Sequence, residues 1–213
     1  MMLAIIRRDL GLALSGGAAL PVVFFLLVAT LYPFGVGPDG ALLARTGGGV
    51  LWIAALLAAL LPIDRLIAPD ADNGVLDQFA VRGVADEVVI AAKMIAHWLS
   101  FGPPLMLAAI PAAALLRLEG QTLLALEYGL LIGTPGLAAL GVMVAGLTAG
   151  LRSGGALAGL LMLPLAVPML IVGAGSLDRA AGGNALYLLA ASSLLLCAIA
   201  PFAGGAALRA MRE

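Results

Sequence analysis

The chain has 213 residues, of which 63% are hydrophobic and 11% charged, with a net charge of −1; an average soluble domain is about 45–50% apolar and about 25% charged. So few polar side chains cannot cover a soluble surface, which excludes an ordinary soluble domain, a disordered chain and a nucleic-acid binder with a basic face. One cysteine, Cys197, and one histidine, His97, allow no disulfide within the chain, no CxxC site and no multi-histidine metal cage.

Residues 1–14 bring Leu3, Ile6, Leu10 and Ala13 round at spacings of three and four, with Arg7 and Arg8 beside that stripe. This predicts an interfacial helix in the headgroup region, ahead of a turn at Ser15-Gly16-Gly17. The two arginines before an apolar stretch do not read as a cleaved signal peptide, because no polar secreted body follows. Runs free of Asp, Glu, Lys and Arg then cover 10–38, 46–63, 94–116, 128–151, 153–177 and 180–208. Each reaches or approaches the roughly 20 helical residues that cross a hydrocarbon core about 30 Å thick. They predict six transmembrane helices at about 17–36, 48–63, 95–116, 122–150, 156–175 and 185–207. The fold class is all-α, a polytopic membrane protein with 1–213 as one transmembrane domain. A β-barrel would alternate polarity over segments of about 10 residues, and Leu51–Leu61 does not.

Between the second and third spans, residues 64–93 form the one substantial hydrophilic stretch, with Asp64, Asp70, Asp72, Asp77, Asp86 and Glu87. Asn73-Gly74 signals a turn. Val75 to Val81 follows as two helical turns with Leu76, Phe79 and Ala80 on one side. Gly83 breaks this helix, Asp86 is an expected N-cap, and Glu87 suits the positive end of a helix dipole. The pattern fits a lever that takes force from a partner on that side of the membrane, and equally a solvated inter-helix loop.

In the third span His97-Trp98 reads as an interfacial anchor, with ligation of heme iron or proton relay as the alternative. In the fourth, Glu127 is the one acid well inside a span, so it is a functional candidate or a partner for Arg117. Thr134-Pro135-Gly136 is expected to kink this helix, and Pro164 and Pro168 to distort the fifth. Gly146 with Gly150, and Gly155 with Gly159, are small-residue pairs of the kind that let helices approach. An even number of spans puts both termini on one side, together with eight basic residues: Arg7, Arg8, Arg65, Arg82, Lys93, Arg152, Arg209 and Arg212. The other side holds three, Arg45, Arg117 and Arg179, so the termini are expected in the cytoplasm. No GxxxxGK[ST] loop is present, so any ATP is hydrolysed by another chain. No cluster of catalytic polar groups at one depth is visible, which argues against an enzyme. An ATP-independent secondary transporter or channel for a small hydrophobic solute would call for paired intramembrane charges or inverted repeats; there is one lone Glu and no clear repeat.

Several stretches recur in a known order and spacing: Leu31-Tyr32-Pro33-Phe34, Trp52-Ile53-Ala54-Ala55, Asp64-Arg65-Leu66, Gly74-x-Leu76-Asp77-Gln78, Ala92-Lys93-Met94-Ile95-Ala96-His97-Trp98, Gly133-Thr134-Pro135, Gly150-Leu151-Arg152-Ser153-Gly154-Gly155 and Leu163-Pro164-Leu165-Ala166-Val167-Pro168. In these the chain resembles the heme exporter B family, permease-like subunits of the cytochrome c maturation ABC transporter. The resemblance implies an ABC-2-type permease in the bacterial inner membrane. It implies two copies of an ATPase subunit, a heme-handling C subunit, a small D subunit and a periplasmic heme chaperone as partners. Heme is then handled by the complex and ATP by the ATPase, with neither cofactor nor metal held by this chain. On this resemblance 64–93 contains a coupling helix that docks in the ATPase. Asp70, Gly74, Leu76, Asp77, Gln78 and Phe79 would be its contacts, with Leu76 and Phe79 apolar and Asp70 and Asp77 as charge partners or local caps. Ile67 stands where the family pattern has Phe.

Overall fold

A computed structural model describes the chain at every residue except 16, 18, 152, 153, 179–181 and 213. Gly16 of the expected turn, Ser153, and the basic residues Arg152 and Arg179 lie outside the described residues. Among the described residues the helices are α1 (Met2–Ser15), α2 (Ala19–Val36), α3 (Gly40–Leu60), α4 (Ala68–Asp72), α5 (Val75–Val81), α6 (Asp86–Leu115), α7 (Gly120–Thr148), α8 (Gly154–Gly175) and α9 (Gly182–Arg212), with a 3-10 turn at Ile63–Arg65. Six of them, α2, α3, α6, α7, α8 and α9, are long and apolar enough to cross a membrane. The chain is all-α and multi-pass, as its charge-free runs require.

Helix α7 forms the axis of the bundle and touches α3, α6, α8 and α9. Small residues let it do so. An alanine at Gly136 would stand 2.7 Å from Met169 Cε and 2.8 Å from Ser193 Cα, so α8 and α9 close onto the bare backbone there. Gly146 faces Gly204 of α9, with the backbone 3.7 Å from where a Cβ would stand. In the second expected pair Gly155 lies close to the 3-10 turn, where an added Cβ would stand 3.2 Å from Asp64 Cβ, while Gly159 faces open space. Trp52 of α3 is 1% exposed. Its ring fills a slot floored by Gly129 and Gly133 of α7 and Gly173 of α8, where a Cβ would come within 3.0, 2.6 and 2.7 Å.

The second span is not the short helix that its charge-free run suggests. It starts at Gly40, because the Asp39 carboxylate accepts hydrogen bonds from the N–H groups of Ala41 (2.9 Å) and Leu42 (3.3 Å) and caps the helix there. Arg45 is inside this first stretch and exposed; a long basic side chain near a helix end can keep its charge in water while the helix continues. One further expectation is corrected. Asp86 is the first helical residue and Ala85 occupies the cap, because the Asp86 carboxylate is engaged by Arg212. On α1 the packed face is Met2, Ile5 and Ile6, while Leu3 is 69% exposed. Arg8 and Asp9 turn toward partners on α4 and α6. Pro135 lies inside α7, and Pro164 and Pro168 inside α8.

Candidate functional site

The lone lysine sits among apolar neighbours, and a buried ammonium needs carboxylates. Lys93 of α6 is 4% exposed. Its Nζ bonds Asp9 of α1 at 3.0 Å and also bonds Asp70 of α4. Arg8 closes the cluster, with Nη1 at 3.0 Å from both Asp9 and Asp70. Two cations and two carboxylates from three elements thus neutralise one another. Burial alone would raise the Asp70 pKa; the hydrogen bond from Arg8 and the charge and hydrogen bond of Lys93 together outweigh it. The group is held below the usual carboxylate value. Asp70 is therefore directed into the body of the protein rather than toward a second chain.

A second set of ion pairs fastens the end of α9 to the start of α6. Arg209 Nη1 is 2.6 Å from Glu87 Oε1, and Arg212 pairs with Asp86. Arg212 also reaches Asp77 at 3.8 Å, so α9 touches the α5 segment as well. All these groups lie at the end of the bundle that carries both α1 and the end of α9.

Helix α5 occupies the expected span, 75–81. Gly74 precedes it with φ +68°, a left-handed turn that favours glycine, and Gly83 follows with φ +71°. The side chains divide sharply. Leu76 is 2% exposed and Phe79 packs partly against the core. Asp77 and Gln78 face outward, and Val81 is 89% exposed. Leu76 is thus a fastener of α5 to its own chain, and the outward face consists of Asp77, Gln78, Ala80 and Val81. Beside it runs an open groove of about 850 Å³ walled by Ala68, Asp72, Leu76, Leu151, Met211 and Arg212. Ile67 is fully buried.

Of the expected anchor pair, His97 is buried and Trp98 partly buried. His97 is 3% exposed, with its ring 4.7 Å from that of Phe101 and neither ring nitrogen hydrogen-bonded. Trp98 donates from Nε1 to Thr134 Oγ1 at 3.0 Å, and Thr134 donates to the Leu130 carbonyl at 2.7 Å. Gly102 makes room, since a Cβ there would stand 2.7 Å from Trp98 Nε1. This chain of bonds meets α7 one residue before Pro135, where the helix lacks an N–H donor. Pro164 and Pro168 lie on the exposed face of α8, away from Thr134. Glu127 is half-buried with Oε1 shut off and unpartnered, and no bond joins it to Arg117. Arg117 instead lies over Gly40, with Nη1 2.8 Å from where a Cβ would be. The structure therefore does not gather Glu127, Thr134, Pro164 and Pro168 into one site. What it gathers, Arg8, Asp9, Asp70 and Lys93, pattern reading missed as a set; the one available signal was a lysine alone in an apolar helix.

Residues 1–211 match the family model described as CcmB protein. Relatives named "Heme exporter protein B" include one from Rhodobacter capsulatus, 48% identical with 98% of each chain covered. One from Haemophilus influenzae is 43% identical over 98% of this chain and 97% of its own. One from Escherichia coli K12 is 38% identical with 98% of each covered.

Proposed function

Because this chain belongs to the CcmB protein family, we propose that it is the membrane subunit of a heme-exporting ABC transporter for cytochrome c maturation, coupling ATP hydrolysis in a separate ATPase to release of a heme-loaded periplasmic chaperone. The near full-length match to proteins named for heme export carries this reading. It lies in the bacterial inner membrane with both termini in the cytoplasm, beside a heme-handling C subunit, a small D subunit and two ATPase copies. This chain binds neither heme nor ATP.

The geometry supports a coupling role for α4 and α5. An ATPase that closes on ATP can shift the membrane part only through a contact whose energy differs between two states. Helix α5 offers such a contact in the exposed Asp77, Gln78 and Val81. Force delivered there passes through Leu76 into the core, through Asp77 and Arg212 to α9, and through Asp70 to α6 and α1. The test is a Gln78→Lys, Val81→Asp variant, altered only on the outward face and leaving the Asp77–Arg212 contact in place. It is expected to insert and to retain the heme-handling subunit, to lose the ATPase on copurification, and to leave the loaded chaperone on the complex. Normal ATPase recovery together with normal chaperone release would remove the coupling role from this segment.

A further inference from the structure

Helix α7 is enclosed by its neighbours along most of its length. From Gly136 to Gly146 every residue is buried except Met143, which is partly so. The beginning of the helix differs. There Leu124, Tyr128 and Leu131 are exposed, and Glu127 is partly exposed. These positions follow one another at the three- and four-residue spacings of a single helix face. The helices that wrap the axis of the bundle thus leave one strip of it open, and that strip holds the acid.

Glu127 stands seven residues after Gly120, where α7 starts, or about 10 Å along the helix axis. A carboxylate at that depth is away from water and needs a cation or hydrogen-bond donors. Its Oε1 is enclosed, and the group has no hydrogen bond or ion pair among the described residues. Acyl chains supply neither charge nor donor, so lipid against this strip would leave the carboxylate bare. A second copy of the chain does not supply a cation at this level either. Helices α3 and α7 run parallel here: Thr122 Cγ2 is 3.8 Å from where a Cβ on Gly48 would stand, and Trp52 lies against Gly129. Arg45, nearly a turn before Gly48, is therefore level with the start of α7, and Arg117 precedes that start.

We propose that this strip seats a membrane helix of another subunit, one that carries a lysine, arginine or histidine inside its apolar span and bonds the Glu127 carboxylate with it. Leu124, Tyr128 and Leu131 then pack against the apolar side chains that flank the cation. A charge inside hydrocarbon has one place to go, so the pair fixes the depth and rotation of the incoming helix. This seat requires only that α7 crosses a membrane and is independent of the coupling role of α5.

The test is photo-crosslinking from p-benzoylphenylalanine in place of Tyr128, in cells that express the full chain from its own locus, followed by sequencing of the joined peptide. One other membrane protein is expected, joined through an apolar span that contains a basic residue. Glu127→Gln keeps the shape and removes the charge; it is expected to cut the yield at least five-fold. Glu127→Lys is expected to do the same, and changing the partner's basic residue to Glu in that background to restore the crosslink. A probe in place of Phe202, exposed on α9, is expected to give the same products with and without Glu127→Gln. A crosslink to lipid alone, to a second copy of the chain or to a peptide without a basic residue would overturn the seat. So would a yield undiminished by Glu127→Gln, or no recovery on the charge exchange.

Discussion

Lys93 is the only lysine in the chain, and it is spent on an internal contact. Removing one partner from a buried ion cluster leaves uncompensated charge, which typically costs about 3–5 kcal/mol. Lys93→Met is therefore expected to lower the thermal unfolding midpoint in detergent strongly, and adding Asp9→Asn to recover part of the loss. The same cluster gives a pH dependence. The Asp70 pKa is depressed in the folded protein. Its contribution is thus complete above the ordinary carboxylate pKa and is lost as pH falls through the lower, folded value. Spin labels at Leu3→Cys and Val81→Cys are expected to show a broader distance distribution in acid, and Asp70→Asn to show that breadth already at neutral pH. His97→Leu is expected to leave heme on the chaperone unchanged, read by heme staining, since heme is held elsewhere in the complex on the proposed reading. Loss of that stain in an assembled complex would contradict it.

Among elements, the α3–α7–α8 junction depends on an absence of side chains. Trp52 fills a slot that exists because positions 129, 133 and 173 are glycine. Gly133→Ala would place a Cβ 2.6 Å from the ring, inside van der Waals contact, and overpacking of this kind typically costs about 1–3 kcal/mol. A Gly133→Ala, Trp52→Leu double variant is expected to unfold at a higher temperature than Gly133→Ala alone. Helix α5 shows the complementary case. Leu76→Ala would cut a buried leucine, for which about 2–5 kcal/mol is typical. Because that side chain faces inward, the damage should appear as loosened α5 in hydrogen exchange, with the outward contact residues still present.

For the molecule as a whole, six crossings put α1 and the end of α9 at one end of the bundle. In a Cys197→Ser background, cysteines at Leu3 and Ala210 are expected to resist a membrane-impermeant reagent added from the periplasm, while one at Glu119 reacts. The crossings were legible because a hydrocarbon core imposes one length and forbids most charges. The α5 segment was legible because an Asn-Gly turn and Gly83 bracket it. The start of α3 was hidden, since a charge count stops at Arg45 whereas the Asp39 cap sets the helix end. The Arg8, Asp9, Asp70 and Lys93 cluster was hidden for a different reason. Its partners stand 62 and 84 residues apart, and no local period marks a contact made by tertiary packing. Glu127 drew notice as a rare intramembrane acid, yet the residues grouped with it lie on separate faces.

The α9–α6 fastening carries a consequence for the order of biogenesis. Asp86 and Glu87 are synthesised 126 and 122 residues ahead of Arg212 and Arg209. Until those arginines emerge, α6 enters the bilayer with two carboxylates awaiting their cations, so the third crossing can be only provisionally seated while the rest is translated. The pairing then acts as a completion mark. A chain stopped before Arg209 keeps all six apolar crossings but leaves that pair of acids open at the membrane surface, and it is expected to be cleared by membrane proteases faster than the finished protein in a pulse-chase experiment.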